Sequence, residues 1–344
     1  MSDNNKIIND FPEKPILWKR ILVYSTSILI LIIFGIILYN NQNILHALGR
    51  IHLRYIIYLM LIGIITQTAA GYSSYTIYKA MGKRLNFVEW FGLPLYQAMT
   101  NYIIPFRGGA AVTAIYLKNR YKLGYSKFIS CFLAIYTLFI LTTGPIMCLL
   151  FIILGFINNQ WHKELLSLFI FVSLGMWALW LLLPKIKMRG KVGRKVNNVI
   201  AGYLIIHNNP LLIYKLIFLT WIGTLLKGVH IYFAMEAVGL SFSILDAGIC
   251  GIVLQYSVIF KILPGNFGIQ EGTLSLFSVI LGYPADLAMA AALFIRGIGL
   301  ITKILPGLFF AYILNRRLVF GVVKTGDINS TTNDSADKMS KDPT

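Results

Sequence analysis

Five charged residues lie inside stretches of the chain that are otherwise apolar: Arg107, Lys261, Glu271, Arg296 and Lys303. A charge at the centre of a membrane helix costs about 2.5–3.5 kcal/mol on insertion scales, so such residues usually face a cavity or a partner. Cations in a cavity can hold an anionic group, and a buried carboxylate must either pair with a cation or take up a proton. We therefore treat all five as candidates for a substrate path. A structural ion pair is the alternative for Glu271 and the arginines, and the lysines could instead reach the membrane interface.

Two breaks in the apolar pattern contain or adjoin several of these charges. The first break contains Arg107, and the second, residues 263–272, contains Glu271 and follows Lys261. A broken helix exposes backbone N–H and C=O groups that lipid cannot satisfy, so such breaks occur inside protein or beside a water-filled cavity. The residues that break the two helices are Pro105, Gly108, Gly109, Pro264, Gly265, Gly268 and Gly272. The sequence thus predicts a site where the breaks lie, and Lys227 and His230 could line the same cavity.

Other kinds of chemistry find little support. The five histidines show neither metal-ligand spacing nor an HExxH or Ser-His-Asp arrangement, and the three cysteines lie within apolar segments. No GxxxxGK[ST] sequence is present, which argues against an ATP-driven pump. We therefore expect no metal, no cofactor and no catalytic residue.

The composition is that of an integral membrane protein. Apolar residues make up 57% of the 344 residues and charged residues only 13%. The chain has 31 Lys+Arg against 13 Asp+Glu, but the basic residues cluster in short loops between apolar segments. That distribution follows the positive-inside rule, so we interpret the charge as membrane topology and expect no nucleic-acid partner.

The apolar segments predict an all-α, polytopic helical bundle. We expect a cytoplasmic N-terminal segment at 1–18, one membrane domain at 19–320 with a basic cytoplasmic linker at 184–210, and a disordered cytoplasmic tail at 321–344. The predicted spans are 21–39, 55–78, 128–157, 165–183, 211–235 and 287–314, with interrupted segments at 87–117 and 244–281. Each interrupted segment is either a re-entrant hairpin or two short crossings.

Loop charges give the two halves of the domain, about 19–157 and 165–317, the same order of elements with opposite orientations. Both termini are then cytoplasmic. Such an inverted-topology repeat is typical of transporters, whose sites lie where broken segments meet near the midplane of the membrane.

The two breaks also carry a family resemblance. Residues 105–110 resemble the motif Pro-Gly-Arg-Ala-Gly-Glu, with Ala110 in place of the acidic residue. Residues 264–272 resemble Pro-Gly-Gly-Leu-Gly-Val-Arg-Glu-Gly, with Asn266 and Gln270 as departures, and Arg296 and Leu305-Pro306-Gly307 match the span that follows. Over roughly residues 15–320 the chain resembles the transmembrane flippase region of bacterial lysylphosphatidylglycerol synthase, the multiple peptide resistance factor, and its free-standing relatives.

The resemblance implies lipid translocation in the cell membrane, a flippase-like movement of a phospholipid or polyprenyl-phosphate lipid between leaflets. It does not imply lysyl transfer, because in the synthase that reaction belongs to a separate cytosolic domain for which we find no counterpart here. The expected partners are membrane lipids with anionic headgroups, held by Arg107 and Arg296. Two alternatives are an intramembrane lipid-modifying enzyme that uses Glu271 as acid or base, and a membrane partner of a separate glycosyltransferase or synthase.

Overall fold

The computed structural model describes residues 42–104, 106–159, 161–257 and 264–339. Across those ranges the regular structure is helical and contains no strand. Five helices are long and apolar enough to cross a membrane: Leu53–Ala80, Tyr125–Ile157, Lys163–Lys185, Pro210–Ala237 and Ala285–Arg317. The prediction of an all-α polytopic membrane protein is confirmed. The predicted span 21–39 and the residues Pro105 and Lys261 lie outside the described residues.

The helices follow one another in the predicted order. They are α1 (Gln42–Gly49), α2 (Leu53–Ala80), α3 (Phe87–Ile103), α4 (Gly108–Tyr121), α5 (Tyr125–Asn158), α6 (Lys163–Leu182), α7 (Gly190–His207), α8 (Pro210–Ala237), α9 (Ile244–Ser257), α10 (Ile269–Ile280) and α11 (Ala285–Met339). Short 3-10 turns occupy Leu183–Lys185 and Pro264–Asn266. The basic linker therefore contains a helix, α7, whose residues Ile200, Tyr203 and Ile206 are buried.

The last helix extends into the stretch for which composition predicts disorder. It continues to Met339, although its apolar part ends at Arg317. No proline interrupts the chain between Pro306 and Pro343, so the backbone can remain helical there. Disorder of residues 321–344 stays a prediction.

The first interrupted segment is an antiparallel helical hairpin, hairpin A, made of α3 and α4. Near its tip the backbone N–H of Gly109 donates to Asn101 Oδ1 at 2.9 Å, and at its base Tyr116 OH donates to Glu89 Oε1 at 2.9 Å. Both ends of the segment therefore lie at the same end of the hairpin. The helices contain 17 and 14 residues, or about 25 and 21 Å at about 1.5 Å per residue. These lengths are less than the hydrocarbon thickness of about 30 Å and favour a re-entrant hairpin.

The second interrupted segment forms hairpin B from α9 and α10. At its base Tyr283 OH donates to Asp246 Oδ2 at 2.7 Å, and near its tip Asn266 Nδ2 donates to the carbonyl of Ser257 at 3.3 Å. Its second helix contains 12 residues, and its first helix is described from Ile244 to Ser257, where the described range ends. Both halves of the chain thus have a hairpin between two long helices. The opposite orientation of the halves stays a prediction.

Each hairpin is anchored in its own apolar core. Leu93 and Leu117 of hairpin A pack in a cluster with α5, α7 and the end of α11. Leu254 and Leu274 of hairpin B pack in another with α5, α8 and the first half of α11. Helix α11 contacts α3 and α10 extensively, so it lies beside both hairpins. These cores hold the hairpin bases and bring the tips to one place.

Candidate functional site

The tips of the two hairpins meet directly. Helix α3 packs against the Pro264–Asn266 turn, and a Cβ atom built on Gly265 would lie 2.9 Å from Cδ1 of Tyr102. Beside this contact is a cavity of ≈ 70 Å³. About 10–15 Å³ measured in this way holds one water, so the space suits several waters or a small polar group. The two breaks therefore lie together, and their role as a substrate path stays a prediction.

The cavity is polar and carries positive charge. It is lined by two cations, three neutral amides, an aromatic ring and two small residues, namely Arg107, Lys303, Asn101, Asn266, Gln270, Tyr102, Ala98 and Gly265. Arg107 Cζ lies 5.0 Å from the ring centroid of Tyr136, and Lys303 Nζ lies 5.9 Å from that of Tyr102. None of the described lining residues is acidic. The arrangement can therefore hold an anion with hydrogen-bonding groups attached.

Local backbone geometry sets the position of Arg107. Phe106 and Arg107 have φ values of 52° and 58°, in the left-handed region that residues with a Cβ seldom adopt. These two residues turn the chain from α3 into α4. Gly109 then allows α4 to start against α3, because a Cβ there would lie 2.0 Å from the carbonyl oxygen of Gln97. The tight turn brings the guanidinium of Arg107 to the cavity.

Glu271 and Arg296 form the predicted ion pair, and both are buried, with 1% and 7% of their surfaces exposed. Arg296 donates from Nε to Glu271 Oε1, from Nη1 to the Gly265 carbonyl at 3.1 Å and from Nη2 to the Asn266 carbonyl at 3.3 Å. Glu271 Oε2 accepts the backbone N–H of Gly268 at 2.9 Å. The pair satisfies backbone groups that the broken helix leaves without partners, so it positions the wall of the cavity.

The structure separates the predicted site residues into three groups. Arg107, Lys303 and Gly265 line the cavity, and Glu271 and Arg296 lie behind its wall. The other breaking residues with described backbone form the turns: Gly108 and Gly109 begin α4, Pro264 begins the 3-10 turn, and Gly268, with φ 77°, precedes α10. Gly272 has no neighbour within 4 Å of a built Cβ, so steric space does not require glycine there.

The α8 residues Lys227 and His230 lie near this group. Lys227 and Lys303 both act electrostatically on His230, whose buried Nε2 has no hydrogen-bond partner among the described residues. Neither α8 residue is among those that line the cavity. The prediction that they share its lining is not supported by these contacts.

Sequence analysis missed Glu89, a fully buried carboxylate at the base of hairpin A. It forms a capping box with Asn86, in which each backbone N–H donates to the other side chain at 3.0 Å. It also accepts hydrogen bonds from the hydroxyl groups of Tyr116 and Tyr121, and Arg120 Nε lies 3.6 Å away. Asn-x-x-Glu before an apolar run is a known helix-start pattern and would have revealed this residue.

Asp246, which the sequence analysis did not select as a site residue, occupies the corresponding place in hairpin B. Each carboxylate is the third residue of the first helix in its hairpin. Burial raises the pKa of Asp246, while the hydrogen bond from Tyr283 and the charge of His162 lower it. Burial and the bond to Asp246 raise the pKa of Tyr283 to about 12. Unlike Glu89, Asp246 leaves its Oδ1 without a partner in the described part of the chain.

Comparison with known proteins places this arrangement in a family. The family model described as the lysylphosphatidylglycerol synthase TM region matches residues 21–307, a range that includes both hairpins, Arg296 and Lys303. No curated protein shows a significant match to the chain. Because the matched range covers most of the sequence, the protein belongs to the lysylphosphatidylglycerol synthase TM region family.

Proposed function

We propose that this protein moves a lipid between the two leaflets of the membrane. The headgroup occupies the cavity between the hairpin tips, while the acyl chains remain in the surrounding lipid. Membership of the family relates the chain to membrane lipids in general. The finer statement, translocation by a flippase-like mechanism in the cytoplasmic membrane with both termini inside, is our proposal.

The observation that carries this proposal is the polar cavity with two cations where the hairpin tips meet. Arg107 and Lys303 lie within an apolar helical protein, where charge is costly unless it faces a partner or a polar ligand. Two broken segments that meet in this way are the usual place for a transporter site. The positive lining suits a phosphate-containing headgroup, because charge-assisted hydrogen bonds to phosphate are strong.

A row of polar residues along hairpin A supports hydration between its base and the cavity. Glu89, Gln97 and Asn101 recur at multiples of four residues on α3, which places them on one helix face. Gln97 Oε1 accepts a hydrogen bond from Thr113 Oγ1 at 3.2 Å. A small space of ≈ 10 Å³ beside Glu89, Gln97 and Thr113 has room for about one water. A water molecule can occupy this face, but the space is too small for a headgroup.

We also propose that the protein acts on the lipid without chemical reaction. An intramembrane enzyme would need an acid or base that can reach the substrate. Glu271 Oε1 accepts a hydrogen bond from Arg296 on α11 and Oε2 accepts one from the Gly268 N–H in the second break, and the described lining residues of the cavity include no carboxylate. These contacts leave Glu271 poorly placed for proton transfer to a bound lipid.

The proposed function is tested with the purified full chain in liposomes that contain a trace of lipid with a fluorescent acyl chain. A membrane-impermeant reductant measures how fast the labelled lipid leaves the inner leaflet. We expect exchange faster than in protein-free vesicles and without ATP. Arg107→Gln and Lys303→Gln should each slow exchange about tenfold, as the loss of one charge-assisted contact of about 1.4 kcal/mol implies.

The matched control is Lys163→Gln, which removes an exposed lysine at the start of α6. This variant should exchange lipid at the unmodified rate. Exchange no faster than in protein-free vesicles for any lipid class would contradict the proposed function and favour the enzyme or partner interpretation. If neither cavity variant changes the rate of exchange, the headgroup site lies elsewhere in the protein.

A further inference from the structure

Asn266 presents a buried hydrogen-bond acceptor to the cavity. The residue is 1% exposed and lines the cavity. Its Nδ2 donates to the carbonyl of Ser257 at 3.3 Å, which fixes the orientation of the amide, and its Oδ1 has no partner among the described residues. Buried polar atoms without partners are rare in proteins and call for an explanation. A hydrogen-bond donor on a bound ligand would satisfy Oδ1.

The other amides of the lining favour hydroxyl groups on that ligand. Asn101 uses its Oδ1 to accept from the Gly109 N–H, which leaves its Nδ2 as a donor. Gln270 lines the cavity with both a donor and an acceptor. Neutral amides match hydroxyls, because a hydroxyl both donates and accepts. The lining therefore combines a place for a phosphate with a place for uncharged polar groups.

The charge distribution disfavours a ligand that ends in an amine. Arg107 and Lys303 give the described lining two positive charges and no negative one. Glu271, the nearest carboxylate in the second break, is engaged by Arg296 and by the Gly268 N–H. An ammonium group in this space would meet two cations without a carboxylate partner.

We propose that the cavity selects the phosphate ester of a neutral polyol over phosphate esters that carry an amine. The phosphate binds Arg107 and Lys303, and a hydroxyl of the polyol donates to Asn266 Oδ1. This inference rests on the proposed function, because it assigns a headgroup class to the same cavity. It makes Asn266 the residue that determines specificity.

Two measurements test the selectivity. The first compares leaflet exchange of three lipids with the same fluorescent acyl chain: phosphatidylglycerol, phosphatidic acid and phosphatidylethanolamine. The second measures the thermal stability of the purified full chain in detergent with sn-glycerol 3-phosphate, inorganic phosphate or phosphoethanolamine. We expect about five- to tenfold faster exchange of phosphatidylglycerol than of either other lipid, as one added hydrogen bond implies. The largest stabilisation should come from glycerol phosphate.

The variant Asn266→Gly removes the amide and tolerates the local backbone, because Asn266 has φ 58°. It should lower phosphatidylglycerol exchange to the phosphatidic acid rate and leave the latter unchanged. A purely structural role would slow all three lipids equally and would overturn the proposal. The matched control is Asn159→Gly, since Asn159 has φ 54°, is exposed and lies between α5 and α6. This control variant should keep the full preference for phosphatidylglycerol over the other two lipids.

The two proposals can fail separately. Exchange of all three lipids at equal rates would overturn the selectivity and leave translocation standing. A preference for glycerol phosphate in the stability measurement, without exchange of any lipid, would support the headgroup class and overturn translocation. If no lipid is exchanged and no phosphate ester stabilises the protein, both proposals are overturned. If glycerol phosphate stabilises the protein but phosphatidylglycerol shows no preference in exchange, the cavity takes the free phosphate ester and not the lipid.

Discussion

Arg296 and Glu271 hold the second break together from opposite sides. The guanidinium reaches Glu271 with Nε and two turn carbonyls with its terminal nitrogens, while the carboxylate also accepts the Gly268 N–H. The ring of Phe267 lies 3.9 Å from Arg296 Cζ and covers the guanidinium. One ion pair thus supplies hydrogen-bond partners for the backbone groups of the break. Lipid could not supply those partners.

This geometry predicts that Arg296 cannot be replaced by another cation or moved to the other side of the pair. Arg296→Lys loses the planar fork that reaches both carbonyls. The exchanged pair Glu271→Arg with Arg296→Glu places a carboxylate against carbonyl oxygens. Removal of one partner from a buried pair costs on the order of 3–5 kcal/mol. We expect both changes, and Glu271→Gln, to lower the melting temperature and the yield of the purified protein.

Thermal unfolding in detergent checks this prediction, with Arg316→Lys as the control because that arginine is exposed near the end of the last span. An exchanged pair as stable as the unmodified protein would show that charge neutrality alone is required. In that case the bonds to the Gly265 and Asn266 carbonyls would contribute nothing measurable.

A second prediction concerns the base of hairpin A. Glu89 accepts hydrogen bonds from Tyr116 and Tyr121, which lie in the other helix of the hairpin. A hydrogen bond to a charged group contributes about 1.5–3 kcal/mol, so Tyr116→Phe should lower the free energy of unfolding by that amount. Tyr214→Phe is the control, because Tyr214 is 71% exposed. Equal melting temperatures for the two variants would argue against a stabilising role for the Glu89 network.

The sequence predicts those parts of the fold that depend on local pattern. The long spans follow from apolar length and the breaks from proline and glycine. Arg296 is the expected partner of Glu271 because it matches the family pattern in the span that follows the break. The interrupted segments form hairpins because residues of separate helices contact each other, as Gly109 and Asn101 do. Only the folded chain reveals those contacts.

The cavity lining could not be predicted in the same way. Asn101, Asn266 and Gln270 come from different hairpins and have no shared spacing that would bring them together. Their amides are common polar groups, and only the meeting of the tips makes them neighbours. Glu89 and Asp246 were overlooked for a different reason, because each lies at a segment end where an exposed acid is the usual interpretation.

Membrane topology gives a third prediction. Hairpin A returns to the side that it leaves, so positions 83 and 118 must lie on one side of the membrane. Loop charges predict that this side is the cytoplasm and that position 191 and the C-terminus share it, whereas positions 163 and 286 are external. Single cysteines at these positions, in a background without Cys131, Cys148 and Cys250, can be labelled with an impermeant reagent in intact cells. Labelling at 191 but not at 163 would reverse the orientation, and different outcomes at 83 and 118 would exclude the hairpin.

The last prediction concerns Asp246, which lies at the start of α9 and outside the five long spans. Burial raises its pKa in the folded protein, so folding favours the protonated form. The stability that the proton contributes is fully present below the unfolded pKa of 3.8 and is lost as pH rises through the raised folded pKa. The neutral variant Asp246→Asn should therefore be at least as stable as the unmodified protein at neutral pH. The difference in melting temperature should shrink or reverse as pH falls.

Tyr283→Phe supplies the matched comparison, because it removes the hydrogen bond that lowers the pKa of Asp246. As pH falls, the melting temperature of Tyr283→Phe should therefore converge with that of Asp246→Asn at a higher pH than the melting temperature of the unmodified protein does. His162, whose charge also lowers the pKa of Asp246, is kept unchanged in both proteins. A melting difference that stays constant across the pH range would mean that the pKa of Asp246 is the same in the folded and unfolded states, which would contradict the effect of burial.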